Sequence, residues 1–319
     1  MEGLYLLARK VVEKRFPYDK DIQPLFIAAL YGLLRKYKNY SNIVCDIFLQ
    51  TDIFLEKKTI DEILEEHNIE AEYDSDGNNR TYAISSLGYE FIYDTDKGVT
   101  CEKGPSFIAC SLLDVDLAHV LNSFVHEMSH LIKSVIRSHA IIQDKNKPEY
   151  YLRSGVSLFL YQYNIKKDIM KSCCQFSGLD EAINTVQTTE ILNDILSLRE
   201  FVDDRDMVKF FNDINISNMK KDCGYEDITI LFRKIWCIPS FRDLIEENIV
   251  EGDIDTIIYK FNELFSDKYA FFRFASIFDE YDTLDNSMEN QKIKNQMLKE
   301  FKRCLNKFKS LEKKHIKRL

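Results

Sequence analysis

The sequence predicts an α+β fold, predominantly helical and divided into two lobes, and three observations carry that expectation. Glycine (10) and proline (5) together make up under 5% of the 319 residues, against roughly 12% in average usage, which favours long helices over an all-strand architecture. A block between residues 81 and 113 is rich in aromatic and β-branched residues interrupted by turn signals, the signature of a small sheet. From Asp114 to about Ser138 the period changes: glycine and proline are absent and apolar residues recur at helical spacing. The length exceeds the ~250 to 300 residues at which one hydrophobic core stops growing, hence the expectation of two lobes.

Taken in order, the chain opens with a helical lead-in over residues 1–70. It comprises Leu4 to Arg15, Gln23 to Tyr37, and a short helix from Ile60 to Glu66 with Thr59 as its N-cap. The turn-rich DSDGNN of Asp74 to Asn79 opens a second region, 71–177. Here TYAISS, YEFIYD, GVTCE and SFIACSLL read as strands, separated by Gly88, by Asp96 to Gly98, and by Gly104 and Pro105. The long helix follows, with Asp114 as N-cap and an apolar face made by Leu117, Leu121, Phe124, Val125, Met128, Leu131, Ile132 and Val135. After a polar loop from Gln143 to Glu149, the stretch Tyr150 to Asn164 reads as a strand or hairpin bent at Gly155, and a second loop ends at Ser177 and Gly178. The rest, 178–319, is expected to be a helical lobe that starts with a long helix from about Leu179 to Phe201 and breaks near Gly224, Pro239 and Gly252.

Charge is distributed unevenly along the chain. The formal net charge is −9, yet residues 291–319 hold eleven Lys/Arg against two Asp/Glu, leaving 32 basic and 50 acidic residues in the first 290. An acidic body excludes nucleic-acid wrapping, whose affinity comes chiefly from phosphate neutralisation by Lys and Arg. The basic tail spaces Ile293, Met297, Phe301, Leu305 and Phe308 at helical intervals, so a terminal helix docked on the body is expected. Weak contact of that helix with an anionic surface is the alternative. The eight cysteines show no CxxC spacing, which favours reduced thiols. The N-terminal stretch lacks the apolar run and cleavage site of a secretory leader, and the longest uncharged stretch, Ile22 to Leu34, is too short to span a bilayer. A cytoplasmic protein is the expectation, with leaderless export left open.

Chemistry concentrates in His126-Glu127-Met128-Ser129-His130, a HExxH pattern inside the long helix. Residues four apart lie one turn apart on the same face, so the two imidazoles can converge on one metal ion. Glu127 is rotated away from both and can reach a water without being a ligand. That division of labour suits Zn2+ hydrolysis, in which three protein ligands leave one open position and a carboxylate serves as general base. His119, seven residues before His126, shares its side of the helix and reads as packing, while His67 and His315 read as solvated.

The HEMSH helix placed after a small sheet resembles the zincin metallopeptidases. GLDEAINT, Gly178 to Thr185, resembles the second motif of their thermolysin-like branch, the gluzincins. The resemblance covers roughly 85–200 in detail. It implies a cleft between the lobes, His126, His130 and Glu181 as zinc ligands, Glu127 as general base, and a peptide or protein substrate paired with an edge strand, for which Gly104 to Cys110 is the candidate. The chain departs from the pattern at Asp180, where asparagine is usual, and at Thr185, where an aspartate usually orients a ligand histidine; Asn184, Thr185 or Asp180 is left to fill that role. The metzincin pattern HExxHxxGxxH fails, because Lys133 replaces its glycine and Ile136 its third histidine.

The residues downstream of His130 offer His139, Glu149, Asp180, Glu181 and Glu190 for the third ligand. His139 falls on the opposite side of a continuing helix. Glu149 follows a solvated loop, and Asp180 suits the first turn of a helix. Glu181 shares a polar stripe with Thr185 and Thr188 beside Ala182, Ile183 and Val186, where a carboxylate is costly to bury unless it meets a cation. Glu190 is the next candidate. For an oxyanion donor, Tyr259, Tyr269 and Arg273 are available. Besides the peptidase, two other function classes fit: a catalytically silent zinc-binding regulatory or structural protein, and a helical partner-binding protein without metal.

Overall fold

The computed structural model describes residues 2–69, 83–86, 89–94, 98–103, 106–134, 141–142, 149–164, 169–214, 226–281 and 287–316. The DSDGNN turn, Gly88, Gly104 and Pro105, His139, the loop after Gln143 and the break at Gly224 lie outside the described residues. The fold is α+β and predominantly helical, with twelve α-helices among those residues. In chain order they run α1 (Glu2–Arg15), α2 (Gln23–Lys36), α3 (Ser41–Gln50), β1 (Asp52–Glu56), α4 (Ile60–Glu66), β2 (Ala83–Ser86), β3 (Tyr89–Asp94), β4 (Gly98–Lys103), β5 (Phe107–Ser111) and α5 (Leu117–Ser134). Then come β6 (Ile141–Ile142), β7 (Glu149–Ser154), β8 (Ser157–Asn164), β9 (Ile169–Gln175), α6 (Ser177–Leu198), α7 (Arg205–Asp213), α8 (Glu226–Trp236), α9 (Pro239–Ile249), α10 (Ile254–Phe265), α11 (Ala270–Glu280) and α12 (Met288–Ile316).

The chain divides into two compact units. One comprises 1–91, 101–132 and 187–223, and the other 92–100, 133–186 and 224–319, so α5 and α6 each contribute to both.

In the first unit the core is aromatic. Phe16 stacks on Phe26 with centroids 4.8 Å apart, and Phe124 of α5 meets Phe26 edge-on at 5.0 Å. Interlocked rings of this kind fix orientation as well as burying area, and they seat the helix that carries HEMSH. Gly32 of α2 lies so close to α6 that an added Cβ would come within 2.7 Å of both Ile191 and Ile195. Lys36 to Glu190 (2.6 Å) and Arg35 to Asp194 (3.0 Å) tie the same two helices at the surface.

Three strands of this unit form a sheet in the order β1-β5-β2, with β1 parallel and β2 antiparallel to β5. Facing residues of paired strands share a side of a sheet. Phe54, Ile84, Phe107 and Ala109 therefore lie on one side, where Ile60, Ile63 and Leu64 of α4 cover them. The other side carries Ser85, Ile108 and Cys110. β5 is buried along its whole length and central, which corrects the expectation that Gly104 to Cys110 supplies a substrate edge. The reason is β1, a strand that interrupts the expected helical lead-in; pairing with it leaves β1 and β2 as the edges among the described residues.

Local signals place most helix ends. Thr59 caps α4 through a reciprocal box with Glu62. For α5 the cap moves by two residues: Asp116 Oδ1 accepts the His119 amide at 2.9 Å, while Asp114 takes φ 56° in the preceding bend. The first turn also lifts Leu117 out of the apolar face, leaving it exposed.

In the second unit β7 and β8 form the expected hairpin around Gly155 at φ 57°, within a sheet ordered β6-β7-β8-β9. β9 takes the place of the loop expected before Ser177, because seven residues pair with β8 across the sheet. The helices of this unit pack around Phe241, Phe261, Phe274 and Phe278. α12 adds Phe301, Cys304 and Phe308 to that core, Phe308 lying 5.2 Å from Phe241. The basic tail is thus a docked helix. No helix among the described residues is long and apolar enough to cross a membrane, and the six cysteines whose side chains are described are free thiols.

Candidate metal centre

On α5 the Nε2 atoms of His126 and His130 stand 3.2 Å apart. Two imidazoles on one tetrahedral zinc, with Zn–N bonds of about 2.0 to 2.1 Å, hold their nitrogens about 3.3 Å apart, so the pair is spaced to chelate. Nitrogens at this separation are also within hydrogen-bonding range of one another, and a shared proton can occupy the same geometry. A ligand-capable carboxylate oxygen of Glu181, on α6, lies within 4.8 Å of both histidines' donor atoms. His126 is buried; His130 and Glu181 are half-buried. Two imidazoles and one carboxylate form the three-ligand donor set of a catalytic zinc site.

Glu127, also half-buried, accepts a 2.7 Å hydrogen bond from the Ser85 hydroxyl at Oε2. Ser85 belongs to edge strand β2, and Cys110 of β5 lies on the same sheet face. The Cys110 thiol is pushed well above its usual range by burial, with a further push from the Glu127 charge, so the carboxylate sits over a neutral thiol. Neither residue was singled out in the sequence; Ser85 is one serine among many, and only the strand register brings it to Glu127.

The start of α6 is held from several directions. Asp279 at the end of α11 accepts the Phe176 amide at 2.8 Å and the Gly178 amide at 2.9 Å. Burial raises its carboxyl above the ordinary value, and those amides partly oppose the rise. Gly178 has no room for a Cβ, which would strike the Phe278 carbonyl. Asp180 is in the first turn as expected, but it is buried and engaged by the Val156 amide at 3.0 Å and by Lys133 at 3.5 Å. Asn184, Thr185 and Thr188 are buried along the same helix.

The other candidates fall elsewhere. Glu190 pairs with Lys36. The side chains of Glu149 and His315 lie outside the described residues. His67 is exposed, as expected of a solvated residue, and there it stacks on Phe54 at 4.0 Å and bonds Glu56 at 2.7 Å; β1 brings both partners to the end of α4. Arg273 is engaged by Asp267 and Glu300, while Tyr259 and Tyr269 are exposed.

The chain matches no known family, curated protein or solved structure. Its function has to be argued from the residues themselves.

Proposed function

We propose that the chain is a zinc-dependent metallopeptidase in which His126, His130 and Glu181 hold Zn2+ and Glu127 is the general base. The observation that carries this reading is the approach of three ligand-capable side chains, two from α5 and one from α6, beside a carboxylate that is not among them. The resemblance to zincins points the same way. A bound zinc supplies Lewis acidity and lowers the pKa of water in its open position to about 7. Glu127 takes a proton from water at its carboxylate and delivers it to the leaving amine. Ser85 holds Oε2 and so limits rotation of that carboxylate. In this reading an extended peptide pairs with β2, the edge strand whose Ser85 reaches Glu127. The free thiols suit a cytoplasmic setting.

The test combines metal analysis with cleavage. Protein purified without added metal is expected to carry one equivalent of zinc and to cleave members of a proteome-derived peptide library, with Glu127→Gln keeping the zinc and losing cleavage by several orders of magnitude. Absence of zinc, with no thermal stabilisation when zinc is supplied, overturns the metal centre. Zinc without cleavage in the wild type leaves a silent zinc-binding protein. Equal cleavage by both proteins removes Glu127 from the mechanism.

A further inference from the structure

Lys133 is among the largest fully buried side chains described, at 1% exposure, and Asp180 is buried equally deeply. Lysine is almost never buried without a partner, and here the ammonium lies 3.5 Å from Asp180 Oδ1. Both residues adjoin the candidate metal centre along the chain. Lys133 follows His130 by three residues on α5, and Asp180 immediately precedes Glu181 on α6. The same Oδ1 accepts the Val156 amide from the β7–β8 turn. That turn depends on Gly155, whose φ of 57° is left-handed and where a Cβ would collide with the Asp180 carboxylate. One carboxylate oxygen thus joins the last described turn of α5, the first turn of α6 and the hairpin between them.

We propose that the buried Lys133–Asp180 ion pair is the positioning element that sets the rotation of α6 against α5, and thereby the reach of Glu181 toward His126 and His130. The inference rests on the metal-centre reading of those three residues. A turn of α6 by about 10° would displace a glutamate carboxylate by roughly 1 Å, given the helix radius and the length of the side chain. Metal–ligand distances tolerate only about 0.2 Å. Rotation would also draw Asp180 away from an ammonium that is buried with it, so the pair resists the motion that would spoil the site. Stability alone does not account for it, because well-packed neutral groups of the same volume commonly serve the fold as well as a buried ion pair.

The test uses Lys133→Met/Asp180→Asn in the full chain. The double substitution removes both charges, preserves volume and leaves an amide oxygen for the Val156 amide. Zinc affinity is read by competition with a chromophoric chelator, and the geometry of the site by the visible spectrum of the Co2+-loaded protein, with circular dichroism and melting of the metal-free form reporting the fold. The expected result is a native fold, zinc binding ten- to a hundredfold weaker, as for other residues that orient ligands, and an altered cobalt spectrum. Wild-type affinity with an unchanged spectrum overturns the positioning role while leaving the metal centre intact. A wild-type protein that binds no zinc overturns the metal centre and this inference with it. If the double variant does not fold, Lys133→Gln, which keeps a donor facing the carboxylate, provides the comparison: weakened zinc binding in a folded protein supports the role and unchanged binding refutes it.

Discussion

The Ser85 hydroxyl donates to Oε2 of Glu127 across 2.7 Å, joining an edge strand to the helix that carries HEMSH. The two residues are 42 positions apart and meet because β2 lies antiparallel to β5 with Ser85 opposite Ile108. In the peptidase reading, Ser85→Ala frees the Glu127 carboxylate to rotate. Peptide cleavage is expected to lose about tenfold in kcat, roughly 1.4 kcal/mol of barrier, with zinc affinity unchanged. A kcat equal to wild type would show that the hydrogen bond does not orient the base.

Glu181 and Glu190 separate cleanly in a zinc titration. Glu181→Ala is expected to weaken zinc binding by orders of magnitude with helix content retained. Glu190→Ala removes the partly exposed pair with Lys36, worth about 0 to 1 kcal/mol, and should leave zinc binding alone. The reverse pattern would move the third ligand to Glu190.

Gly155→Ala should destabilise the second unit. A left-handed φ and a Cβ directed into Asp180 are both unfavourable, and strain of this kind costs about 1 to 3 kcal/mol. Denaturant unfolding that matches wild type would mean that the turn relaxes without cost.

Phe308 anchors α12, lying 5.2 Å from Phe241 and 5.6 Å from Phe261. Phe308→Ala is expected to cost about 3 to 5 kcal/mol through lost burial and the cavity left behind, visible as a lowered melting temperature. Native stability combined with a loss of salt-sensitive binding to anionic vesicles would instead assign the helix to surface contact.

Glu56 provides a pH test. Its carboxyl is held below the ordinary value first by the His67 hydrogen bond and then by Lys58. A lowered folded pKa contributes stability that is present above the unfolded value and is lost as pH falls through the folded value. Between those limits wild type should lose stability on acidification faster than Glu56→Gln, as followed by urea unfolding at stepped pH. Parallel pH profiles would remove Glu56 from the acid limb.

The sequence by itself determined what depends on neighbours along the chain. His126 and His130 converge because four residues make one helical turn, Thr59 caps α4 because Glu62 is three residues on, and Gly155 turns a hairpin because the chain there needs a left-handed residue. The alternation and helical spacing of apolar residues likewise announced a small sheet and many helices. Only the tertiary structure decided the relationships between residues distant in sequence. Sheet order made β5 central, moved the edge to β2 and brought Ser85 to Glu127; β1 brought Phe54 and Glu56 to the exposed His67; and Lys133 met Asp180 at the start of α6, where Asp279 accepts the Gly178 amide. A one-dimensional pattern shows which face of an element is apolar, but not which partner covers it, because register and packing arise when remote segments exclude water together.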